Sequence, residues 1–318
     1  MLPNIPLKNE FTAAADRIGP YVHRTPVMTC SAINEMTGAN IYFKCENFQK
    51  AGAFKFRGAC NRVFSLEAAD AARGVVTHSS GNHAQALALA ARMRGIPAHI
   101  VLPENAPAVK IDAVKGYGGK VVLCPPTLAD REKTTRAIME ETGGYFIHPY
   151  NDAGILTGQG TCAMEIIGQG IAPDIIMTSV SGGGLLSGTA LAADYFAPGT
   201  RVWGAEPAGA DDARRSLETG TIQPCLEPDT IADGLRASLG DVTFPIIKEK
   251  VEKILTCSEA GIVRAMKTVW ERMKIVAETS GVVPLAVIME HPEAFKGKTV
   301  AVVISGGNVD LNRLPWQA

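Results

Sequence analysis

Short apolar runs alternate with helix-like segments along most of this chain, and this alternation is the feature that most limits its fold. "GVVTHSS" (74–80), "AHIVLP" (98–103) and "KVVLCP" (120–125) are typical of strands. The segments that follow them have the composition of helices: 81–95, 106–118 and 127–144. This β-α-β-α-β-α order predicts a parallel sheet with helices on its faces.

The same alternation returns in the second half of the chain, with strands predicted at 173–180, 200–207 and 298–305 and a long helix at 258–278. We therefore expect an α/β fold of two open, twisted parallel-sheet domains. The predicted large domain comprises residues 1–73 and 151–318, and the predicted small domain comprises residues 74–150. A ligand is expected in the cleft between them, at the carboxyl ends of the strands.

Composition excludes several classes of protein. The 318 residues are 46% hydrophobic and 20% charged, and the net charge of −1 gives no reason to expect a nucleic-acid partner. The N-terminus lacks a signal-peptide pattern, and no run approaches the roughly 18 apolar residues of a membrane helix. The seven cysteines are scattered and never form C-x-x-C, so neither a disulfide framework nor a zinc ribbon is expected. We expect a cytoplasmic protein with no membrane partner.

A glycine-rich turn in "TSVSGGGLLSG" (178–188) joins a predicted strand to a predicted helix. Glycines allow close approach of an anion, and the free N–H groups at a helix start attract negative charge. A phosphate is therefore expected on the backbone N–H groups of Gly182, Gly183, Gly184 and Leu185. The sequence matches neither the P-loop nor G-x-G-x-x-G, and a purely structural turn stays open as the alternative.

The stretch "HSSGNHAQALALAA" (78–91) repeats this arrangement in the first half of the chain. Its hydroxyls, amide and imidazole surround Gly81 and suit a carboxylate-binding loop formed by Ser79, Ser80, Asn82 and His83. A serine that only caps the helix and an ordinary helix histidine are the alternatives.

A third strand leads into glycines at "VISGGNVD" (303–310), and here Ser305 is expected to face the cleft. Asn308 and Asp310 can be explained as turn formers alone.

Lys55 lies between two phenylalanines in "AGAFKFRGA" (51–59). A surface lysine is the ordinary alternative, but Phe54 and Phe56 are unusual neighbours for a solvated side chain. An aromatic side chain here can cover one face of a flat ring. A lysine in a partly apolar pocket has a lowered pKa and can form a Schiff base. Arg57 is best explained by a structural ion pair.

These features together predict a site for an aldehyde cofactor that carries a phosphate. They are a lysine with a lowered pKa, a phosphate-binding loop, a carboxylate-binding loop and a serine that faces the cleft. That cofactor is pyridoxal 5'-phosphate.

Three motifs carry a resemblance to the fold-type II pyridoxal-phosphate enzymes of the serine racemase, serine/threonine dehydratase and 3-hydroxyaspartate dehydratase family. "AFKFRGA" resembles the cofactor-lysine motif, "SSGNHAQA" the substrate-carboxylate loop and "SGGGLLSG" the phosphate loop. "AEPAGADDA" (205–213), "WERMK" (270–274) and "SGGNVDL" (305–311) strengthen the resemblance, which covers nearly the whole chain.

The resemblance implies a role for each matching residue. Lys55 would bind the cofactor covalently and act as the base on one face, with Ser80 as acid or base on the other. Phe54 would cover the ring and Asn82 would hold its 3-hydroxyl. The substrate carboxylate would be held by Ser79, Gly81, Asn82 and His83. Glu278 would lie near the cofactor ring, and Ser305 would contact the pyridine nitrogen. Because a serine there is neutral, we expect a weaker electron sink that favours loss of a β leaving group over transamination.

A metal site is also implied by the resemblance, in which Glu206, Asp212 and the carbonyl of Ala210 resemble an all-oxygen site for Mg²⁺, Mn²⁺ or Ca²⁺. Such an ion would be structural or activating. Without the resemblance, the two acids are explained by a solvated acidic turn.

The chain departs from the common pattern at several positions. Ala53 replaces a serine that many relatives have, "ETSG" (278–281) replaces a common Glu-Pro, and Tyr150 stands where mammalian-type racemases have asparagine. Arg131 matches a position that can reach a second carboxylate, which indicates a dicarboxylic substrate such as 3-hydroxyaspartate. A solvated helix face explains Arg131 equally.

We therefore expect β-elimination of L-serine, L-threonine or 3-hydroxyaspartate to a 2-oxo acid and ammonia, with racemisation as the alternative within the class. The resemblance implies a homodimer. A non-catalytic metabolite-binding module is the alternative from another class of protein. A nicotinamide dehydrogenase is not expected, because the chain has no G-x-G-x-x-G followed by an acidic residue in the right place.

Overall fold

Ten strands form two separate sheets in the computed structural model, which describes residues 5–79, 81–106 and 108–317. The strands are β1 (Val27–Thr29), β2 (Asn40–Cys45), β3 (Val75–His78), β4 (Ala98–Pro103), β5 (Lys120–Cys124), β6 (Tyr145–Phe146), β7 (Ile175–Ser179), β8 (Arg201–Pro207), β9 (Lys253–Cys257) and β10 (Thr299–Ile304).

The larger sheet has the order β1-β2-β10-β7-β8-β9. Its neighbours are parallel except at one edge, where β1 pairs antiparallel with β2. Every residue of β7 is buried, as is expected for an inner parallel strand covered by helices on both faces. The smaller sheet has the order β5-β4-β3-β6 and is parallel throughout.

The predicted α/β class with two parallel-sheet domains is confirmed. All strands of the smaller sheet fall within 75–146, whereas the larger sheet combines strands from 27–45 with strands from 175–304. The domain boundaries at 73/74 and 150/151 stay a prediction.

Helices cover both sheets: α1 (Lys8–Ile18), α2 (Ser31–Thr37), α3 (Lys55–Ser65), α4 (Ala68–Ala72), α5 (Asn82–Arg94), α6 (Ala108–Gly116), α7 (Leu128–Thr142), α8 (Ala153–Gly168), α9 (Gly184–Phe196), α10 (Asp212–Thr219), α11 (Thr243–Lys250), α12 (Glu259–Thr268), α13 (Thr279–Glu290) and α14 (Pro292–Phe295).

The prediction of one long helix over 258–278 is wrong at its end. The α-helix stops at Thr268, and a π-helical turn (Val269–Met273) leads to Lys274, which has a φ of 61° in the left-handed region. The chain then turns so that Ile275 and Ala277 enter the core. Burial of these two side chains against the larger sheet explains why the helical pattern does not continue.

Helix α8 packs between α3 and α9, and glycines bring these helices close together. A Cβ added at Gly158 would lie 2.6 Å from the Cα of Gly58 in α3, and one at Gly160 would lie 2.6 Å from the carbonyl oxygen of Gly188 in α9. The packing is therefore main chain against main chain. Within the described ranges, no helix combines the length and the apolar character that crossing a bilayer requires.

Candidate active site

Three strands, one from the smaller sheet and two from the larger, lead directly into the loops that the sequence singled out. β3 ends at His78, β7 ends at Ser179, and β10 ends at Ile304, just before Ser305. α5 and α9 begin a few residues after β3 and β7, so two helix N-termini face this region. This is the position at which open α/β sheets bind ligands.

Lys55 is the first residue of α3 and is half-buried in the cleft. Its Nζ donates a hydrogen bond of 2.8 Å to the carbonyl oxygen of Pro149 and lies 5.2 Å from the centre of the Phe54 ring. Burial lowers the pKa of Lys55 to about 8. At pH 7 about one tenth of this lysine is therefore the nucleophilic amine, far more than for a solvated lysine.

The lysine loop is attached directly to the end of β10. Ala53 forms an isolated bridge with Gly306, and the N–H of Phe54 donates to the carbonyl oxygen of Ser305 over 3.0 Å. The buried Ser305 hydroxyl is within 3.5 Å of the hydroxyl of Ser179. Sequence reasoning missed Ser179, although its position as the last strand residue before the glycine turn was a usable signal.

The glycine turn has the backbone of an anion-binding loop. Gly183 has a φ of 92°, which favours glycine, and Gly184 begins α9 with Leu185 buried behind it. The hydroxyl of Thr243 donates to the carbonyl oxygen of Gly182 over 2.8 Å and so fixes the turn from α11. Sequence reasoning missed Thr243, which is 61 residues away from Gly182.

Tyr150 closes the other side of this turn. A Cβ added at Gly182 would overlap three carbon atoms of the Tyr150 ring, and one at Gly184 would lie 3.0 Å from the Tyr150 Cβ. Glycine is therefore required at position 182 by this contact, whereas at position 183 it is favoured by the left-handed backbone.

The side-chain amide of Asn82 is fixed at both ends. Its Nδ2 donates to Glu278 over 2.8 Å, and its Oδ1 accepts from Asn308 Nδ2 over 2.9 Å. The N–H of Asn308 also donates to Glu278 over 3.1 Å. Burial raises the pKa of Glu278 to about 8. Asn308 is thus more than a turn former. Asp310 makes only local turn bonds among the described residues: its side chain accepts from the N–H of Asn312 and its carbonyl oxygen from the N–H of Arg313, both over 3.0 Å.

The remaining residues of the carboxylate loop lie beside Asn82. The Ser79 hydroxyl accepts from the N–H of Gly81 over 3.3 Å, and α5 begins after Gly81 without a side-chain cap. Capping therefore does not explain Ser79. His83 is buried, and burial together with the charge of Lys55 holds its pKa well below the usual range, so the ring is neutral. Ser80 lies outside the described residues.

Arg131 in α7 faces the end of β3. After burial, the charge of Arg131 is the next cause of the lowered pKa of His78, which is the last residue of that strand. The Nε of Arg131 is buried and has no hydrogen-bond partner among the described residues. A fully solvated helix face therefore does not describe this side chain.

Glu206, Ala210 and Asp212 are buried together where β8 leads into α10. The Glu206 carboxylate accepts from the N–H groups of Ala213 (3.0 Å) and Arg214 (2.8 Å). Burial raises the pKa of Asp212 and raises that of Glu206 well above its usual range.

One oxygen of Asp212, Oδ2, is buried without a partner in the part of the chain that is described. Burying two carboxylates costs free energy unless a positive charge compensates them, and the unpartnered oxygen of Asp212 is free to bind one. These features fit a hard cation such as Mg²⁺ or Ca²⁺. Over the described ranges no three His, Cys, Asp or Glu side chains cluster as a metal site, so such an ion would also need backbone or water oxygens.

The cleft also fits pyridoxal phosphate. Lys55 supplies an amine, the turn at 182–184 supplies an anion-binding helix start, and Ser305 supplies a buried hydroxyl. The cofactor and substrate roles of the individual residues stay predictions.

Comparison with known proteins agrees with this geometry. The family model described as "Pyridoxal-phosphate dependent enzyme" matches residues 18–306. A beta-hydroxyaspartate dehydratase of Paracoccus denitrificans is 51% identical over 312 residues, which cover 98% of this chain and 99% of that protein. A serine racemase of Arabidopsis thaliana is 50% identical, covering 96% of this chain and 93% of that protein.

A solved structure of maize serine racemase superposes with a TM-score of 0.94 at 47% identity and covers 97% of this chain and 95% of that chain. The family and the cofactor expected from the sequence are confirmed by these matches.

Proposed function

This chain belongs to the pyridoxal-phosphate dependent enzymes, and we propose that it catalyses β-elimination from 3-hydroxyaspartate, releasing ammonia and a 2-oxo acid. The observation that carries the choice of substrate is the buried, unpartnered Nε of Arg131 beside the end of β3. An arginine in that position can hold the second carboxylate of a dicarboxylic amino acid. The likeness to a beta-hydroxyaspartate dehydratase supports the same choice.

Different residues of the cleft are proposed to hold different parts of the cofactor. The N–H groups at 182–185 would bind the cofactor phosphate, Phe54 would cover its ring, and Asn82 and Ser305 would bind its polar groups. Glu278 keeps the Asn82 amide in one orientation. When bound, pyridoxal phosphate withdraws electrons from the substrate α-carbon.

Lys55 moves the proton. Its amine, with a pKa lowered to about 8, takes the proton from the α-carbon, and the Pro149 carbonyl oxygen accepts a hydrogen bond from its Nζ. The hydroxyl on Cβ takes up a proton and leaves as water, and the enamine that results is hydrolysed by water to the 2-oxo acid and ammonia. Ser79, Gly81 and His83 form the loop that orients the α-carboxylate, and Ser80 is proposed as acid or base on the opposite face.

Racemisation is the second candidate, and the 50% identity to a serine racemase favours it. It would use Lys55 and Ser80 to exchange the α-proton on opposite faces of the α-carbon.

A substrate panel separates these functions. Purified enzyme is given L-serine, L-threonine or 3-hydroxyaspartate, and both ammonia and the D-isomer are measured. We expect ammonia release to be fastest from 3-hydroxyaspartate. Faster D-serine formation would favour racemisation, and no turnover of any substrate would overturn the proposal. A colourless protein that pyridoxal phosphate leaves unchanged would instead favour a binding module.

We further propose that Glu206, Asp212 and the Ala210 carbonyl bind Mg²⁺, Mn²⁺ or Ca²⁺. Running the same panel with a chelator, and then restoring each ion, tests this site. If chelation changes neither activity nor the unfolding midpoint, the site is not occupied by a functional ion.

We also propose a cytoplasmic homodimer. Three exposed apolar side chains support self-association: Phe48, Val276 and Leu311. The segments that carry Phe48 and Val276 are adjacent, because Asn47 Nδ2 donates to the Val276 carbonyl oxygen over 3.0 Å. Sedimentation of wild type and of Val276→Glu would show a dimer that the variant weakens.

A further inference from the structure

A short turn after β6 carries Pro149 to the catalytic lysine. It comprises His148, Pro149, Tyr150 and Asn151 and ends where Asp152 caps α8. Its Pro149 carbonyl oxygen accepts the 2.8 Å hydrogen bond from Lys55 Nζ. The position of this turn therefore determines where the lysine amine rests.

One imidazole holds the turn together. Nδ1 of His148 accepts hydrogen bonds from the backbone N–H groups of Asn151 (2.9 Å) and Tyr150 (3.3 Å). Neither N–H group has another partner among the described residues. A nitrogen that accepts two N–H donors carries no proton, so the geometry assigns the proton of the neutral ring to Nε2.

The residues held in this way make contacts on two sides of the cleft. Pro149 reaches Lys55, and the ring of Tyr150 lies against Gly182. Asn151 Oδ1 accepts from the N–H of Val242 over 2.9 Å, directly before Thr243, which fixes the glycine turn. The imidazole of His148 therefore lies behind contacts to the lysine and to the anion-binding turn.

Aromatic neighbours hold the ring itself. Tyr150 packs edge-on at 4.6 Å between ring centres, Phe146 packs perpendicular at 5.9 Å, and His78 lies at 6.3 Å. Burial lowers the pKa of His148 to about 4, so the ring stays a neutral acceptor at neutral pH.

We propose that His148 is a positioning residue for the elimination reaction. Its Nδ1 fixes the turn that holds the Pro149 carbonyl oxygen against Lys55 and the Tyr150 ring against Gly182. The proposed function is needed only for the part of the test that measures enzyme activity. The other part measures how fast the apoprotein binds pyridoxal phosphate, which does not depend on the substrate.

Two substitutions separate the acceptor from the ring. In His148→Asn, Oδ1 occupies the place of Nδ1 and can still accept both N–H groups, as in an Asx turn. His148→Phe keeps an aromatic ring and removes the acceptor. His99→Phe, on β4 of the same sheet, is the control for replacing a half-buried histidine by phenylalanine.

The first measurement is the rate at which each apoprotein binds pyridoxal phosphate covalently, followed by visible absorbance, and the second is kcat and KM of the holoenzyme. We expect His148→Asn and His99→Phe to behave like wild type. For His148→Phe we expect slower capture and a fall in kcat of about 100-fold, since a catalytic group displaced by about 1 Å costs that much. KM should change far less.

Wild-type behaviour of His148→Phe would overturn the proposal, and so would an equal loss in His148→Asn, which would assign the effect to the ring. If wild type turns over no hydroxy amino acid, the proposed function fails while the capture rates still test His148. Should His148→Phe not fold, ¹⁵N NMR of the wild-type imidazole decides. The Nε2–H tautomer is expected, and the Nδ1–H tautomer would contradict the role.

Discussion

The ring of Tyr150 lies against the backbone of Gly182, so a residue from the predicted small domain fills the space that a side chain on the glycine turn would need. This contact joins the turn after β6 to the glycine turn after β7.

Gly182→Ala should disturb both sides. The added Cβ overlaps the Tyr150 ring, and overpacking of this kind costs about 1–3 kcal/mol. We expect weaker binding of pyridoxal phosphate and a lower urea midpoint. Gly168→Ala is the matched control, because no atom lies within 4 Å of its added Cβ. Equal behaviour of the two variants would show that the Tyr150 contact does not matter.

Capture of the cofactor by the apoprotein should depend on pH through Lys55. Because burial lowers its pKa to about 8, the protonated form predominates below that pH and the reactive amine above it. The capture rate should rise with pH, about tenfold per unit below pH 8, and level off above it. Stopped-flow absorbance measures the rate. Lys55→Ala should abolish covalent capture, and the exposed Lys267→Ala should not; a rate independent of pH would contradict the assignment.

Arg131→Ala should change the choice of substrate. Loss of a charge-assisted contact to the second carboxylate should lower kcat/KM for 3-hydroxyaspartate by about 10- to 100-fold and affect L-serine much less. Lys133→Ala, an exposed neighbour on α7, is the control. An equal fall for both substrates would indicate a general structural effect and remove the argument for a dicarboxylic substrate.

Arg57 should matter for stability. It is fully buried and pairs with Glu46 at 2.7 Å and Glu165 at 2.8 Å, as the sequence interpretation of a structural ion pair expected. Arg57→Ala leaves Glu46 without its buried partner and should lower the free energy of unfolding by about 3–5 kcal/mol. The exposed Arg264, which pairs with Glu290 at 3.0 Å, is the control and should cost less than about 1 kcal/mol when replaced by alanine. Urea unfolding of both variants measures the difference.

The strands of the fold were predictable where they are continuous apolar runs, as in β4, β7 and β10. β2 was not, because Lys44 stands inside it and is fully buried through its pair with Glu165 at 2.6 Å. A charged residue in a sequence gives no sign of a partner 121 residues away. The end of the helix after Thr268 was also missed, since tertiary burial of Ile275 overrides the local helical pattern.

For the site, local patterns indicated the residues that are predicted to bear the chemistry: Lys55, the glycine turn and the loop at 79–83. The residues that hold these groups were missed because their role depends on contacts across the fold. Thr243 reaches Gly182, and Asn308 reaches Asn82 across 226 residues of chain. Sequence spacing alone contains no signal for such pairs.

The glycine contacts of α8 have a consequence for how this enzyme can change. The helix that begins at Lys55 and the helix that begins at Gly184 both rest on α8 through main-chain atoms, at Gly158 and Gly160. The separation between Lys55 and the glycine turn is thus set by main-chain contact and is insensitive to most side-chain substitutions. Substitutions in α7, where Arg131 lies, can accumulate without altering that span. The distance between the lysine and the glycine turn can therefore stay constant while the choice of substrate evolves.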